Sequence, residues 1–202
     1  SSAEIIFTSG GTEADNLILN SCVRDLNVTR IITSKIEHHA VLHTIQNLEA
    51  TSNLTVDYVK LDKRGKVDYS HLENLLKNSS SKTLVSFMHV NNEIGNKVNL
   101  ALVAELCKNH NTLFHSDTVQ SVGYYPLDFS EITIDFAAAS AHKFHGPKGV
   151  GFAFIRKNSG IRALIRGGEQ ERGLRAGTEA VYAIAGMAKA LELSYINLEK
   201  EK

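Results

Sequence analysis

Residues 136–149 read Phe-Ala-Ala-Ala-Ser-Ala-His-Lys-Phe-His-Gly-Pro-Lys-Gly, and this stretch indicates the class of fold. Its first half is an apolar run of small residues, which predicts a strand that is buried on both faces. The run ends at Ser140-Ala141-His142-Lys143 and then turns on Gly-Pro-Lys-Gly. Polar residues directly after a buried strand are typical of α/β folds, in which ligands bind at the carboxyl ends of the strands.

Outward from this stretch, short β-branched runs alternate with helical patterns along the chain. The patterns predict strands at residues 4–8, 30–34, 54–59, 83–90, 112–116, 135–139 and 151–156. They predict helices at residues 12–25, 39–50, 69–77, 99–109 and 179–198. The alternation predicts an α/β fold with a mostly parallel sheet of the seven-stranded type and helices on both faces. Residues 156–178 break the pattern and are either a mobile surface loop or a functional one.

Composition excludes several classes of protein. The 202 residues are 43% hydrophobic and 22% charged, which fits one large globular domain. The 22 Lys and Arg residues balance 22 Asp and Glu residues, which argues against a dedicated nucleic-acid or anionic-membrane binder. Two cysteines cannot build a disulfide framework, so a reducing compartment is favoured. No apolar run approaches the roughly 20 residues that cross a bilayer.

The turn after the first predicted strand is a candidate anion site. It reads Thr8-Ser9-Gly10-Gly11-Thr12, so the backbone can approach a ligand closely and the next helix offers unpaired N–H groups. No Gly-Lys-Ser/Thr follows, which excludes a Walker A loop. An ordinary tight turn with a helix cap is the alternative interpretation.

Histidines follow the second predicted strand. His39 and His43 have the spacing of two imidazoles on one helical face, as in some zinc sites, but no third ligand matches, and a structural pair is the alternative. The sequence therefore predicts no metal site. His38, at the strand end, could lie flat on a planar ligand.

Two further strand ends carry an acid and an amine. Asp117 ends a buried strand, where a carboxylate needs a cationic partner: a nearby Arg, a helix N-terminus, or a protonated heterocyclic nitrogen. Lys143 is placed where desolvation and nearby cations would lower its pKa and make it a nucleophile suited to Schiff-base chemistry. The alternative is a solvated loop lysine, a description that suits Lys148 better than Lys143.

Together these segments resemble the class V aminotransferase superfamily of pyridoxal-phosphate enzymes, fold type I, and within it the cysteine desulfurases of the iron–sulfur-assembly type. Six ordered motifs carry the resemblance: TSGGTEADN (8–16), EHHAVL (37–42), MHVNNEIG (88–95), HSDTVQSVG (115–123), SAHKFHGPKGVG (140–151) and GGEQERGLRAGT (167–178). The resemblance covers the whole chain, as the large cofactor-binding domain, residues 1–202. It implies that an N-terminal segment and a C-terminal small domain of the family are absent from this chain.

The resemblance also implies roles for particular residues. Lys143 would form a Schiff base with pyridoxal 5'-phosphate and later carry a proton to and from the substrate. Asp117 would pair with the pyridine nitrogen, so that the ring acts as an electron sink. His38, the second residue implied in catalysis, would stack on the ring.

The remaining implied roles concern the edges of the cofactor. Asn92 and Gln120 would hydrogen-bond around the ring hydroxyl, and Thr178 would reach the phosphate of the partner subunit in a homodimer. The phosphate would be held by Gly11, Thr12, Ser140 and His142.

The implied function is conversion of L-cysteine to alanine, with the sulfur passed as a persulfide to an enzyme cysteine for iron–sulfur or thio-cofactor assembly. Cys22 and Cys107 occupy apolar helical positions that are typical of inert buried thiols, and neither matches the catalytic motif. The family's catalytic cysteine and its substrate-carboxylate arginine would lie beyond this chain, so we expect the chain to be inactive alone.

The resemblance implies a cytoplasmic homodimer, with acceptor scaffold proteins as possible partners. A selenocysteine lyase or another class V lyase or aminotransferase is the first alternative. A non-catalytic module that keeps the fold is the second, and the intact Lys143, Asp117 and His38 argue against it.

Overall fold

The computed structural model describes residues 1–77 and 81–198. Its strands are β1 (Ile5–Thr8), β2 (Arg30–Thr33), β3 (Thr55–Tyr58), β4 (Thr83–Ser86), β5 (Leu113–Asp117), β6 (Phe136–Ser140) and β7 (Gly151–Ile155). Its α-helices are α1 (Gly11–Leu26), α2 (His39–Thr51), α3 (Tyr69–Lys77), α4 (Leu100–Asn109) and α5 (Val181–Asn197). Short 3-10 helices cover Ser2–Glu4, Ala141–Phe144 and Gln170–Gly173.

The strands form one seven-stranded sheet in the order β1-β7-β6-β5-β4-β2-β3. Strands β6, β5, β4, β2 and β3 are parallel, whereas β7 runs antiparallel to both of its neighbours, β1 and β6. β1 therefore runs in the same direction as the parallel strands, and its carboxyl end lies at the same edge of the sheet. The predicted mostly parallel seven-stranded α/β fold is confirmed.

Helices cover both faces of the sheet, because alternate strand residues point to opposite sides. Phe136 and Ala138 of β6 pack in a core that contains residues of α1 and α2. Ala137 packs in a second core with residues of α3 and α4, and Ala139 packs in a third with residues of α5. In the described part of the chain, no helix is both long and apolar enough to cross a membrane.

Five of the seven predicted strands are shorter in the structure, and the first and fourth show why. Glu4 belongs to a 3-10 helix, where its side chain completes a capping box with Ser1. β4 ends at Ser86 rather than at residue 90. On its β2 side the N–H of Met88 donates to the carboxylate of Glu37 at 2.6 Å, whereas on its β5 side Phe87 and His89 still donate to the carbonyls of His115 and Asp117.

Candidate active site

A cavity of about 420 Å³ opens at the edge of the sheet where the parallel strands end. The loops after β1, β2, β4, β5 and β6 all contribute to it, as expected for an α/β sheet. All predicted site residues except Thr178 line this cavity. The lining comprises Gly11, Thr12, Asp15, His38, Met88, Asn92, Glu93, Asp117, Val119, Gln120, Ser140, His142 and Lys143.

One end of the cavity is built to receive an anion. α1 begins there, and its cap, Gly10, has no side chain to occupy the first-turn N–H groups, so these stay available to a ligand. A Cβ at Gly11 would lie 2.5 Å from Cγ2 of Val119, which explains why a glycine is needed at this position. Ser140 Oγ and His142 Nδ1 lie 2.9 Å apart, and they add two more polar groups beside Gly10 and Gly11.

His38 stands at the start of α2 and is exposed to the cavity. Its Nδ1 accepts a hydrogen bond of 3.1 Å from the N–H of Ala40, so the side chain is the N-cap of the helix. This contact fixes the orientation of the imidazole and, in the neutral ring, leaves the proton on Nε2. The ring is therefore held at a defined angle over the opening.

Lys143 lies in the 3-10 helix directly after β6, at the centre of the predicted motif. Its side chain is half-buried in the cavity wall, so it is less desolvated than the sequence predicts. Lys148 is exposed and does not line the cavity. The structure thus separates the two lysines as expected.

Asp117 ends β5 with only 5% of its surface exposed. Burial raises the pKa of its carboxyl group to about 7, and the nearby Asp15 adds to this rise. The N–H of Val119 donates to Oδ1 at 2.9 Å, and within residues 1–77 and 81–198 no Arg or Lys forms an ion pair with this carboxylate. A cationic group of a ligand would therefore stabilise the ionised form.

Sequence reasoning missed a buried pair behind Asp117. Asp15 of α1 lines the cavity, and its Oδ1 lies 3.3 Å from Nε2 of His115 on β5, with both side chains at most 1% exposed. Burial raises the pKa of Asp15 well above its ordinary value and lowers the pKa of His115 to about 4. Ser86 Oγ lies 2.9 Å from the other nitrogen of the imidazole. The signal in the sequence was an acid inside an otherwise apolar helical pattern.

Glu37, which precedes His38, is a further buried acid, to which the sequence alone assigns no individual role. Its carboxylate accepts hydrogen bonds from Ser34 Oγ at 2.5 Å and from the N–H of Met88 at 2.6 Å. It therefore joins the loop after β2 to the loop after β4, and both loops line the cavity. Burial, reinforced by Asp117 and Asp15, raises the pKa of Glu37 to about 8.

His39 and His43 lie side by side on α2. The rings of His39 and His43 stack with centroids 4.8 Å apart and an interplanar angle of 8°. Within the described residues, no group of three or more His, Cys, Asp or Glu side chains is arranged to hold a metal ion.

Thr178 lies apart from the main cavity. It is exposed and lines a separate pocket of about 110 Å³ with Ser9, Gly149 and Arg175. Cys22 and Cys107 are buried, unpaired and outside the cavity lining, and burial raises the pKa of both thiols. The arrangement as a whole suits a ligand with an anionic group at one end and a planar ring with a basic nitrogen at the other.

Comparison with known proteins agrees with this geometry. The chain is 44% identical over 202 residues to a protein named cysteine desulfurase IscS from Dictyoglomus turgidum, covering 99% of this chain and 50% of that protein. The chain is also 44% identical over 200 residues to a protein of the same name from Clostridium botulinum (strain Kyoto), and the match covers 98% of this chain and 50% of that protein. The chain thus spans about half the length of the curated relatives that it matches.

Solved structures give the same result. A structure described as a NifS-like protein superposes with a TM-score of 0.94 at 44% identity, covering 99% of this chain and 55% of the other. A structure described as SspA in complex with cysteine superposes with a TM-score of 0.88 at 34% identity, covering 95% and 56% of the two chains. The family model described as aminotransferase class-V matches residues 1–202, and the chain belongs to that family.

Proposed function

We propose that this chain is the cofactor-binding part of a pyridoxal-phosphate-dependent cysteine desulfurase that releases sulfur from L-cysteine for iron–sulfur or thio-cofactor assembly. The observation that carries the proposal is the convergence of Lys143, Asp117 and His38 with the first turn of α1 in one cavity. The relatives named cysteine desulfurase and the structure described with cysteine support the choice of reaction and substrate.

The residues present fit pyridoxal phosphate at each chemical group. The open first turn of α1, with Gly11 and Thr12, would offer N–H donors to the phosphate, and Ser140 and His142, which line the same cavity, would add polar contacts. The carboxylate of Asp117 suits the protonated ring nitrogen, because burial without a cation in place costs free energy. His38, held by its contact with Ala40, would cover one face of the ring.

When bound, pyridoxal phosphate withdraws electrons from the α-carbon of an amino acid substrate. Lys143 Nζ would be the group that attaches the cofactor, and as a free amine it would accept and return a proton at the substrate α-carbon. Asn92 and Gln120, on the loops after β4 and β5, line the cavity and would hydrogen-bond to the oxygen on the ring.

The test uses the intact gene product. Pyridoxal phosphate is added, the visible spectrum is recorded, and borohydride reduction is followed by peptide mapping. We expect the label on Lys143, a loss of both label and absorbance in Lys143→Ala, and no change in the matched control Lys148→Ala. A folded protein that takes up no cofactor, or a label scattered over surface lysines, would refute the cofactor proposal.

The reaction itself requires a second measurement. L-cysteine is supplied to the loaded protein, and alanine and sulfide are quantified in the presence of a thiol. We expect equal amounts of the two products from the intact gene product and none from the 202-residue chain expressed alone, because both helical cysteines are buried outside the cavity. Turnover by the isolated chain would contradict this assignment of the sulfur acceptor.

We also propose a cytoplasmic homodimer in which Thr178 reaches the partner's phosphate site. Its exposure outside the main cavity and the exposed apolar residues Val181 and Tyr182 beside it support this arrangement. The two unpaired cysteines support a reducing compartment. Scaffold proteins that accept the sulfur are the proposed further partners.

A further inference from the structure

A strap of residues 167–178 runs beside β1 and the first turn of α1. Its anchors are polar and specific: the N–H of Phe7 donates to Glu171 Oε2 at 2.9 Å, and Arg172 Nη2 donates to the carbonyl of Ile5 at 2.5 Å. Glu171 and Arg172 both adopt the left-handed conformation, with φ of 48° and 58°, which a side chain rarely takes unless its surroundings impose it. The strap is therefore held in place and is not a freely mobile loop.

The third anchor of the strap joins it to the anion end of the cavity. Arg175 Nε donates to Glu13 Oε1 at 2.8 Å and Arg175 Nη2 donates to Glu13 Oε2 at 3.2 Å, a bidentate ion pair with side chains 23% and 14% exposed. Glu13 Oε2 also accepts the N–H of Ser9 at 2.9 Å. The Glu13 carboxylate thus connects the strap to Ser9, at the start of the turn formed by residues 9–12, and Glu13 itself directly follows the end of that turn.

The position of Glu13 creates an electrostatic conflict. It lies in the first turn of α1, where an acid is favoured by the helix dipole, but the same positive end of the dipole is what attracts a bound phosphate. Although burial opposes its ionisation, the hydrogen bonds from Arg175 and Ser9 prevail and lower the pKa of Glu13. An ionised carboxylate without a partner here would repel an incoming phosphate dianion, and Arg175 supplies the compensating charge.

We propose that Arg175 is a positioning residue for the phosphate end of the cavity, which cancels the charge of Glu13 and fixes the turn of residues 9–12 so that its N–H groups can hold an anion. This inference rests on the proposed function only for the identity of the phosphate compound. Neither Glu13 nor Arg175 lines the cavity, so the ion pair can act only through the turn of residues 9–12. Its effect should therefore be confined to phosphate-bearing ligands.

The experiment measures dissociation constants of pyridoxal phosphate, pyridoxal and inorganic phosphate for the intact gene product by calorimetry. Arg175→Gln should weaken binding of pyridoxal phosphate and inorganic phosphate roughly tenfold and leave pyridoxal unchanged, because a charge-assisted contact is lost beside the anion. Arg175→Lys should retain most of the affinity. The double variant Glu13→Gln with Arg175→Gln should recover much of the loss, because the unpaired carboxylate is gone.

Arg162→Gln is the matched control. Arg162 also forms an ion pair with an acid of α1, Asp25, with Nη2 to Oδ1 at 2.7 Å, but it is more exposed than Arg175, and it lies before the strap and outside the cavity lining. Its replacement should change none of the three dissociation constants, and thermal unfolding of all variants reports any general loss of stability.

The outcomes separate the two proposals. Equal affinities of Arg175→Gln and wild type for both phosphate-bearing ligands would overturn the inference, as would an equal loss for pyridoxal or a loss that Glu13→Gln does not relieve. If the wild type carries no cofactor on Lys143 but inorganic phosphate follows the expected pattern, the proposed function fails and the role of Arg175 stands.

Discussion

Three carboxyl groups, those of Asp15, Glu37 and Asp117, are buried, and two of them, Asp15 and Asp117, line the cavity. Burial raises the pKa of each group, and the charge of Asp15 further raises the pKa of both Glu37 and Asp117. Ionisation of such buried acids is unfavourable unless a cation is bound beside them. At the scale of single residues, the site therefore depends on the protonation of these three carboxyl groups as well as on the shape of the cavity.

Glu37 offers a direct test of this point. Its pKa of about 8 lies above the ordinary value of 4.5, so the folded state retains a proton that the unfolded state releases between these two pH values. The free energy of unfolding should therefore fall as pH rises through this window. Glu37→Gln, whose amide can keep the contacts with Ser34 and Met88, should make this fall smaller by on the order of a few kcal/mol, at about 1.4 kcal/mol per pKa unit.

The measurement is urea unfolding of the protein without cofactor at several pH values from 5 to about 8.5. The exposed Glu105→Gln on α4 serves as the control and should keep the wild-type slope. Superimposable pH profiles for Glu37→Gln and wild type would show that Glu37 does not hold the proton.

Gly11 tests the shape of the anion end. Gly11→Ala places a Cβ 2.5 Å from Cγ2 of Val119, and overpacking of this kind costs about 1–3 kcal/mol. We expect lower stability and weaker binding of pyridoxal phosphate, measured by urea unfolding and calorimetry. The double variant Gly11→Ala with Val119→Ala should recover both, and a loss that persists in it would locate the requirement for glycine in the backbone.

At the scale of elements, the sequence predicted every strand and α-helix of the described chain in order, because each carries its own hydrophobic period. The ends were less predictable. Pairing of β4 with β2 stops early, since Glu37, distant in sequence, accepts the N–H of Met88, and no local pattern around residues 83–90 contains that contact. On the other side, backbone bonds to β5 continue as far as His89.

The same distinction separates the site residues. Those directly after strands could be predicted, because the edge of a parallel sheet brings them together whatever the details of packing. Asp15 and His115 could not, since their approach of 3.3 Å depends on how α1 packs against β5. The position of Thr178 depends on a strap whose course is set by contacts with β1 and α1.

The junction of β1, β6 and β7 also supports an element-scale prediction. A Cβ at Gly151 would lie 2.4 Å from the carbonyl oxygen of Ala139 and 2.8 Å from Cα of Gly10, and backbone atoms of this kind cannot move aside cheaply. Gly151→Ala should lower the free energy of unfolding by about 3 kcal/mol or more. Urea unfolding provides the measurement.

Gly149→Ala is the matched comparison, two residues away. Gly149 has a φ of 78° with no atom within 4 Å of an added Cβ, so its replacement should cost only the backbone term of about 1–2 kcal/mol. If the two variants were equally stable, the close approach of the three strands would not limit this position.

At the scale of the whole molecule, the exposed apolar face of α5 predicts association. Tyr182 is 85% exposed and Val181 is 67% exposed, a large apolar area for a protein surface in water. Tyr182→Arg in the intact gene product should shift sedimentation velocity from dimer towards monomer and weaken retention of pyridoxal phosphate. Glu105→Arg on α4 should leave both unchanged, and an unaltered sedimentation coefficient for Tyr182→Arg would contradict a dimer through this face.

The antiparallel placement of β7 has a consequence for how the protein is made. Among the seven strands of the described sheet β1 is synthesised first, yet its hydrogen-bonding partner is β7, the last of the seven. Until β7 is synthesised, β1 has no neighbouring strand in this sheet, and the turn after β1 lacks its contact with Gly151 of β7. Such distant pairing slows folding and leaves apolar strands open to aggregation during synthesis. The nascent chain should therefore depend on chaperones until β7 has emerged, about three quarters of the way along this sequence, and its anion site should form only after that.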